Sequence, residues 1–271
     1  MPVTFHLKRQ PTVPLETEVI SPDTVCGLSN AEIRSLIVYH GKRQLPVGEF
    51  FDVEGERSDD IVIHGTLNKV RWIGRAMSKG TVTVHGPVGM HLGAYMTGGR
   101  IEVHGHASDW IGAEMNGGFI RVHGNAGGQA GAAYRGSLAG MKNGTIIIDG
   151  SAGLEVGMRM RRGTIVVGGP ARDFTGLQMK GGTIVLLSGA EIRTGAWMNR
   201  GTIISLKALQ LMPTFAYSIE AIPTFLMLLS KYLKGFGVQI PHAATEGTYR
   251  AYAGDTSVSD KGEILIWQPG T

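Results

Sequence analysis

The sequence contains one cysteine, Cys26, few aromatic residues and no apolar run as long as a membrane span. A single cysteine excludes internal disulfide bonds and any metal cluster held by several thiolates. Aromatic residues make up 7% of the chain and its net charge is +4, so it lacks the features of a nucleic-acid-binding protein. Pro223 and Lys231 interrupt the most apolar segment, 221–233, which is also too short to cross a membrane. The first ten residues have no apolar core of a secretory signal, which predicts a cytoplasmic protein.

Motifs that carry catalysis are also missing. The sequence shows no nucleophile–base pair, paired carboxylates, phosphate loop or dinucleotide fingerprint in a suitable context. Glycine-dense runs such as 127–131 match loose motifs by chance in a chain this rich in glycine. We therefore expect that the chain is not an enzyme by itself.

Glycine is abundant, with 41 of 271 residues, and it follows a repeat. Methionines recur every 19 residues, except for one step of 26 residues from Met115 to Met141. The methionine column consists of Met77, Met96, Met115, Met141, Met160, Met179 and Met198. A second set keeps the same spacing: Val82, Ile101, Ile120, Ile146, Ile165, Ile184 and Ile203. A period of this length indicates a solenoid.

The repeat is built from strands and not from helices. Apolar residues alternate with period two, as in Ile101 and Val103, and the recurrent glycines suit tight corners better than a helix. A block of 19 residues fits one coil with three short strands. We therefore predict an all-β chain: a right-handed parallel β-helix of about 19 residues per coil and about seven coils, with small N- and C-terminal capping segments.

The pattern divides the chain into three parts. Residues 1–60 are an N-terminal lead-in and cap, 61–206 the parallel β-helix, and 207–271 a C-terminal apolar helix and strand segment. In the first part, 5–8 is a possible strand, and the capping-box spacing of Ser29 and Glu32 predicts a helix from Asn30 to about Leu36. In the last part, Pro223 is expected at the first position of a helix over 223–234, and 248–267 returns to a strand pattern. Residues 133–140 form an insertion in the long step.

Four histidines occupy one position of the repeat: His64, His85, His104 and His123. Each follows an inward apolar residue, so alternation points it outward. No carboxylate or cysteine is expected at ligand spacing beside them, and stacked coils hold equivalent side chains in a row and not around a point. We therefore expect solvated or turn-packing histidines and no metal site.

Basic residues follow the methionines of the later repeats. We call this set the basic column: Lys142, Arg161, Arg162, Lys180 and Arg200. The earlier repeats carry Thr97 and Asn116 at the same place. Stacking would bring the five cations to one edge, where they are either a solvated rim or a binding track for an extended polyanion.

The outward strand position changes character along the chain. It is polar at Thr83, Glu102 and Arg121, and the last two are expected to be neighbours on adjacent coils, able to pair. It then becomes the apolar stripe, formed by Ile147, Val166, Val185 and Ile204. A stripe of this kind predicts a covered surface, so either the apolar tail 207–240 or another subunit should lie over it.

The repeat Gly-x-Ile-x-Val-x-Gly-x-Ala, followed by Gly-x-x-Met-x-x-Gly, resembles the β-helical C-terminal domain of glutamate synthase. It resembles more closely the C subunit of formylmethanofuran dehydrogenase, because of the stretch 131–144 and the entry 47–53. The apolar segment 207–245 and the ending 252–267 look like the bacterial form, the C (gamma) subunit of the formyltransferase/hydrolase complex of methylotrophs.

This resemblance implies a non-catalytic scaffold subunit in one-carbon metabolism (formaldehyde oxidation). The complex moves a formyl group from formyl-tetrahydromethanopterin to methylofuran, a carrier with a polyglutamyl tail, and releases formate. The implied partners are a hydrolase-like A subunit, a B subunit and a formyltransferase D subunit. This chain would bind no cofactor, and the metal would lie in a partner subunit. The alternatives are the C subunit of an archaeal-type formylmethanofuran dehydrogenase, with tungsten or molybdenum in a partner, or a glutamate-synthase-like domain.

Overall fold

The structure is a computed structural model that describes residues 1–243 and 245–270, and it is mostly β. In chain order the strands are β1 (Val3–Leu7), β2 (Leu15–Glu16), β3 (Ile37–His40), β4 (Arg43–Pro46), β5 (Phe51–Glu54), β6 (Asp60–His64), β7 (Val70–Arg71), β8 (Thr81–His85), β9 (Arg100–His104), β10 (Asn116–Val122), β11 (Asn143–Ile148), β12 (Thr164–Val167), β13 (Lys180–Leu186), β14 (Arg200–Ser205), β15 (Ala216–Ala221), β16 (Gly247–Gly254) and β17 (Gly262–Pro269). The helices are α1 (Pro22–Val25), α2 (Asn30–Ser35) and α3 (Phe225–Lys234), with a 3-10 turn at Val47–Glu49. In the described part of the chain, no helix has the length and apolar character needed to cross a membrane.

The repeat forms one large open sheet. The sheet has 13 strands, in the order β15-β16-β17-β14-β13-β12-β11-β10-β9-β8-β6-β1-β5, and all neighbours from β1 through β6 to β14 and on to β17 are parallel. The strands pair in the register of the repeat, so that Ile146 lies opposite Ile165 and Ile165 opposite Ile184. A second sheet of four strands has the order β4-β3-β2-β7.

Consecutive repeats also touch at two places outside the large sheet. Single parallel bridges join equivalent residues of neighbouring repeats, in a row formed by Leu67, Val88, Ala107, Ala126, Ala152, Ala171 and Ala190. The N–H of the residue after each methionine donates to the carbonyl of the methionine one repeat earlier, as from Lys180 to Met160 at 2.7 Å. Each repeat therefore stacks on the one before it at three points.

The expected interior is confirmed. Every member of the methionine column has 0% exposure, and so do the inward strand residues Ile101, Ile120, Ile165 and Ile184. These side chains belong to one apolar core that runs along the repeats. Period-two alternation in the sequence thus identified the buried face correctly.

The tight corners use more than glycine. Gly86 has φ +135°, and a Cβ there would lie 2.1 Å from the carbonyl oxygen of Gly65 in the preceding repeat, so only glycine fits. Trp72, His91 and Trp110, which occupy another position of successive repeats, also have positive φ, of 67°, 66° and 66°. Such values are uncommon for residues with side chains. Positive φ in this repeat is therefore not confined to the glycines that the sequence pattern singled out.

The N-terminal segment joins the large sheet directly. β1 pairs in parallel with β6, and β5 adds to its other side in antiparallel fashion. The capping box at α2 is confirmed, since Ser29 accepts from the Glu32 N–H while the Glu32 carboxylate accepts from the Ser29 N–H at 2.8 Å. The strand expected at 5–8 begins earlier, at Val3.

The C-terminal segment lies at the other end and along one side. β17 pairs in parallel with β14, while β16 and β15 extend the sheet in antiparallel fashion. The helix expected over 223–234 starts at Phe225 with Thr224 as its N-cap, so the placement of Pro223 at the first helical position is wrong. Its buried residues are Leu226, Ser230 and Leu233, while Met227 and Leu228 are exposed.

The C-terminal segment covers the apolar stripe. Ile147, Val166, Val185 and Ile204 are at most 1% exposed and form a second core with Leu226, Leu233, Val238, Ile240, Tyr249, Leu265 and Phe119. Tyr232 of α3 is hydrogen-bonded to Thr145 at 2.7 Å, and the ring of Phe236 stacks on Phe119 at 4.8 Å. Of the two covers that the sequence allowed, the structure thus shows the chain's own tail.

A candidate anion-binding groove

The basic column lies where each repeat leaves its methionine turn. The N–H groups of Lys142, Arg161 and Lys180 donate to the carbonyls of Met115, Met141 and Met160 at 2.7–2.8 Å. Because these bonds repeat from one block to the next, the side chains that follow the methionines emerge in line. Lys180 and Arg200 are direct cross-strand partners on β13 and β14.

The structure brings all five predicted cations to one open groove. Its volume is about 560 Å³, and it is lined by Lys142, Arg161, Arg162, Lys180, Gly181 and Arg200. Lys180 is half-buried and the other four cations are exposed. The lining contains no acidic residue, so the five positive charges share one concave surface.

These five cations also differ from arginines elsewhere on the surface. Arg100, Arg121, Arg193 and Arg250 are each bound to a carboxylate. Within residues 1–243 and 245–270, no member of the basic column has a carboxylate oxygen within 4.0 Å. Their charge is therefore available to an external anion.

A sixth cation, Lys261, extends the groove, and the sequence interpretation missed it. Because Gly201 of β14 lies opposite Gly262 of β17, Lys261 takes the place next to Arg200. A neighbouring concavity of about 460 Å³ is lined by Lys180, Asn199, Arg200, Ser259 and Lys261. A signal was present, because Lys-Gly-x-Ile at 261–264 repeats the Arg-Gly-x-Ile of 200–203 outside the regular period.

An apolar hollow adjoins the same groove at Lys180. It measures about 440 Å³ and is lined by Leu138, Arg159, Gln178, Lys180, Trp197, Asn199 and Val258. Leu138, Trp197 and Val258 are 70%, 50% and 45% exposed, although they are large and apolar. The insertion supplies Leu138, so it contributes a wall of this hollow. Charged and apolar contacts are therefore available side by side.

The side chains of the groove are suited to binding an anion. Its lining consists of lysine, arginine and glycine, and the adjoining concavities add asparagine, glutamine and serine but no carboxylate or imidazole. A general base or acid must lie within hydrogen-bond reach of the reacting group. The lining of these three concavities offers no carboxylate or imidazole for this role.

The histidines form a longer row than the sequence indicated. His6 of β1 precedes His64, His85, His104 and His123, and adjacent rings stack at 4.7–5.0 Å. Four of the five are exposed and His64 is half-buried, so the row faces outward as expected. The sequence signal for His6 was the Phe-x-Leu pattern around it, which continues the inward alternation.

Near this row, the predicted neighbours Glu102 and Arg121 do not pair, and the expected lack of carboxylates is wrong. Glu102 and Arg121 are cross-strand neighbours, but Glu102 binds Arg100 and Arg121 binds Asp149 at 3.0 Å. The row also has carboxylates beside it, since the ligand atoms of Glu102, His104 and His123 come within 4.8 Å of one another. Long polar side chains have several neighbours within reach on a sheet, so strand register alone did not fix their partners.

Comparison with known proteins identifies relatives of this arrangement. Residues 57–215 match the family described as GXGXG motif. The C subunit of the tungsten-containing formylmethanofuran dehydrogenase 2 of Methanothermobacter thermautotrophicus is 40% identical over 92 residues, which is 32% of this chain and 34% of that protein. The C subunit of the molybdenum-containing enzyme 1 of Methanosarcina barkeri is 40% identical over 90 residues, 31% of this chain and 30% of that protein. The matches thus span about a third of the length of these curated relatives.

A solved structure matches almost the entire chain. It is a chain in the crystal structure of the formyltransferase/hydrolase complex from Methylorubrum extorquens, in complex with methylofuran. The TM-score is 0.89 at 34% identity, and the match covers 99% of this chain and 100% of that one. Together with the family match over 57–215, this shows that the chain belongs to the GXGXG motif family and is a homologue of the C subunits of formylmethanofuran dehydrogenases.

Proposed function

We propose that this chain is the C (gamma) subunit of a formyltransferase/hydrolase complex. The observation that carries the proposal is the match over 99% of the chain, at 34% identity, to a chain from a complex that contains methylofuran. In this proposal the complex moves a formyl group from formyl-tetrahydromethanopterin to methylofuran and releases formate. The hydrolase-like A subunit, the B subunit and the formyltransferase D subunit are its partners in the cytoplasm.

The proposed role of this chain is that of a scaffold. We infer that the three stacking contacts per repeat are those of a right-handed parallel β-helix over about 61–206, capped by 1–60 and 207–271. Such a rod offers long, regular faces to other subunits. The exposed apolar side chains of Phe225, Met227 and Leu228 on α3 are the kind of surface that a partner covers.

The scaffold is proposed to be non-catalytic. The lack of carboxylates and imidazoles in the groove and its adjoining concavities supports this. The test is an assay of the purified single chain for formyl transfer and for formate release. Turnover by that chain, free of other subunits, would contradict the proposal.

The groove is proposed to hold the polyglutamyl tail of the carrier. Successive cations belong to neighbouring repeats, which stack about 4.8 Å apart, and this spacing suits an extended chain of carboxylates. Exposed charge pairs contribute about 0.2–1 kcal/mol each, so several together would tether the tail and still let it move. Ions screen such contacts over about 8 Å at physiological ionic strength, so binding should weaken as salt is added.

The experiment compares two carriers in the assembled complex. Arg161, Arg162 and Lys180 are replaced together by serine, and coupled turnover is measured with a long-tailed and a tail-free carrier. The matched control removes three exposed cations at the other end of the chain, Arg34, Lys42 and Arg43. We expect a loss for the groove variant with the long-tailed carrier alone. Equal behaviour of the two variants would make the column a solvated rim.

A second candidate is the C subunit of a formylmethanofuran dehydrogenase. It is favoured by the curated relatives, which are subunits of tungsten- and molybdenum-containing enzymes. Purification of the native complex followed by mass spectrometry distinguishes the two. A co-purifying tungsten or molybdenum subunit supports the dehydrogenase, and a formyltransferase without one supports the hydrolase complex.

A further inference from the structure

Three side chains of the types that bind metals lie close together at the far end of the histidine row. Glu102 and His104 lie on β9 and His123 follows β10, and their ligand atoms are all within 4.8 Å of one another. Strand alternation directs them outward, because the intervening Val103 and Val122 are fully buried. Within residues 1–243 and 245–270, no other group of three or more His, Cys, Asp or Glu side chains comes together in this way.

His123 is held in one orientation by a carboxylate behind it. Its Nδ1 lies 2.9 Å from Oδ2 of Asp149, and Arg121 holds both oxygens of that carboxylate at 3.0 Å. A neutral imidazole that donates Nδ1–H to a carboxylate presents the lone pair of Nε2 outward. Histidines that bind metals in proteins almost always have such a partner.

Glu102 also keeps a free ligand atom. Arg100 donates from Nε and Nη2 to the same oxygen, Oε1, so the second carboxylate oxygen has no guanidinium on it. The two arginines therefore balance the charges of Glu102 and Asp149 without occupying both Glu102 oxygens or the outer nitrogen of His123.

We propose that Glu102, His104 and His123 form a binding site for one divalent cation of the Zn²⁺ class. Two imidazoles and one carboxylate suit borderline metals such as Zn²⁺, Ni²⁺ and Cu²⁺, and three protein ligands leave a position open for water or a further ligand. Bonds of about 2.0–2.2 Å place two ligand atoms at most about 4.4 Å apart. The rings of His104 and His123 stack nearly parallel, 4.7 Å apart, so binding requires the exposed His104 ring to turn toward the ion while Asp149 holds His123 in place.

The opposite end of the row is the internal comparison. His6, His64 and His85 stack at the same spacing, but no metal-ligating group of the described residues includes them. If stacked imidazoles alone bound the metal, both ends would bind it. The carboxylate restricts the proposed site to one end.

The test is calorimetric titration of Zn²⁺ into the untagged, chelator-treated full chain, with Mg²⁺ as a hard-cation control. We expect one Zn²⁺ per chain, at least tenfold weaker binding in Glu102→Gln and in His104→Asn, and a loss of about 10–100-fold in Asp149→Asn. His64→Asn is the matched control and should bind as the wild type does. Circular dichroism of each variant verifies that it is folded.

Three results would overturn the proposal: no stoichiometric Zn²⁺ site in the wild type, unchanged binding in Glu102→Gln, or an equal loss in His64→Asn. The last result would assign binding to the stacked imidazoles in general. The outcome is independent of the groove, because the substitutions of Arg161, Arg162 and Lys180 leave these ligands in place.

Discussion

Replacing Met160 tests whether the methionine column holds the repeats together. Its side chain has 0% exposure, and its methyl carbon lies 2.8 Å from where a Cβ on Gly182 of the next repeat would be. Since Gly182 has no side chain that could move into the space, truncation leaves a cavity between two repeats. Replacing a buried methionine by alanine lowers the free energy of unfolding by about 2–5 kcal/mol. We expect Met160→Ala to fall in the upper half of that range.

Met160→Asp should cost more, because it adds the desolvation of a carboxylate with no partner, several kcal/mol. Burial would raise the pKa of the new carboxyl above its unfolded value of about 3.9. The stability of the variant should therefore be highest below that pH and fall as pH rises toward the folded pKa.

The assay is urea unfolding followed by circular dichroism, with Met227→Ala as the control. Met227 lies on α3 and is 61% exposed, so its truncation should change stability by less than about 0.5 kcal/mol. Met160→Leu, which conserves volume, should cost less than about 1.5 kcal/mol. If Met160→Ala and Met227→Ala unfold at the same urea concentration, the methionine column does not stabilise the stack of repeats and the reasoning is refuted.

Two further predictions concern the covered stripe and the corner histidine. Val166→Lys should release the C-terminal segment and expose 225–240 to limited proteolysis. Val62→Lys, at the half-exposed equivalent position of an early repeat, should not. Identical digestion patterns of the two variants would show that the apolar stripe does not hold the C-terminal segment. Burial, and secondarily the charge of Arg71, lowers the pKa of His91 from 6.5 to about 4. Between these two pH values His91 is neutral in the folded chain and protonated in the unfolded chain. Stability should then be lost as pH falls from about 6.5 to 4, and His91→Asn should flatten that part of the stability curve; an unchanged slope would contradict the assignment.

Local and repeated patterns were recognisable before the structure. The methionine column and the inward Ile and Val positions recur at one spacing, so each repeat supplied independent evidence for the same buried face. The capping box at Ser29 was equally predictable, because its partners are three residues apart. The line of Lys142, Arg161 and Lys180 followed from the same periodicity, since equal offsets from a stacked residue emerge at the same edge.

Other features depended on contacts between distant segments. Lys261 reaches the basic column only because β17 returns to pair with β14, a pairing outside the repeat. Glu102 and Arg121 are neighbours as predicted but bind Arg100 and Asp149, since side chains of that length choose among several neighbours by rotamer and not by register. The aromatic cluster of His91, Trp110 and Tyr134 also depends on distant segments. The hydroxyl of Tyr134, in the insertion, lies 2.9 Å from Nδ1 of His91, 43 positions away, and its ring stacks on Trp110.

By itself, the sequence determined which residues face inward and that the chain is a stack of repeats, because a 19-residue period with alternation leaves one way to bury the apolar side chains. It also identified Ile147, Val166, Val185 and Ile204 as a face that needs a cover. Only the tertiary structure decided that α3 and the residues after it provide that cover. A segment without a repeat has no partner at a fixed spacing, so its position follows from shape and apolar area across the whole fold, which a linear pattern does not record.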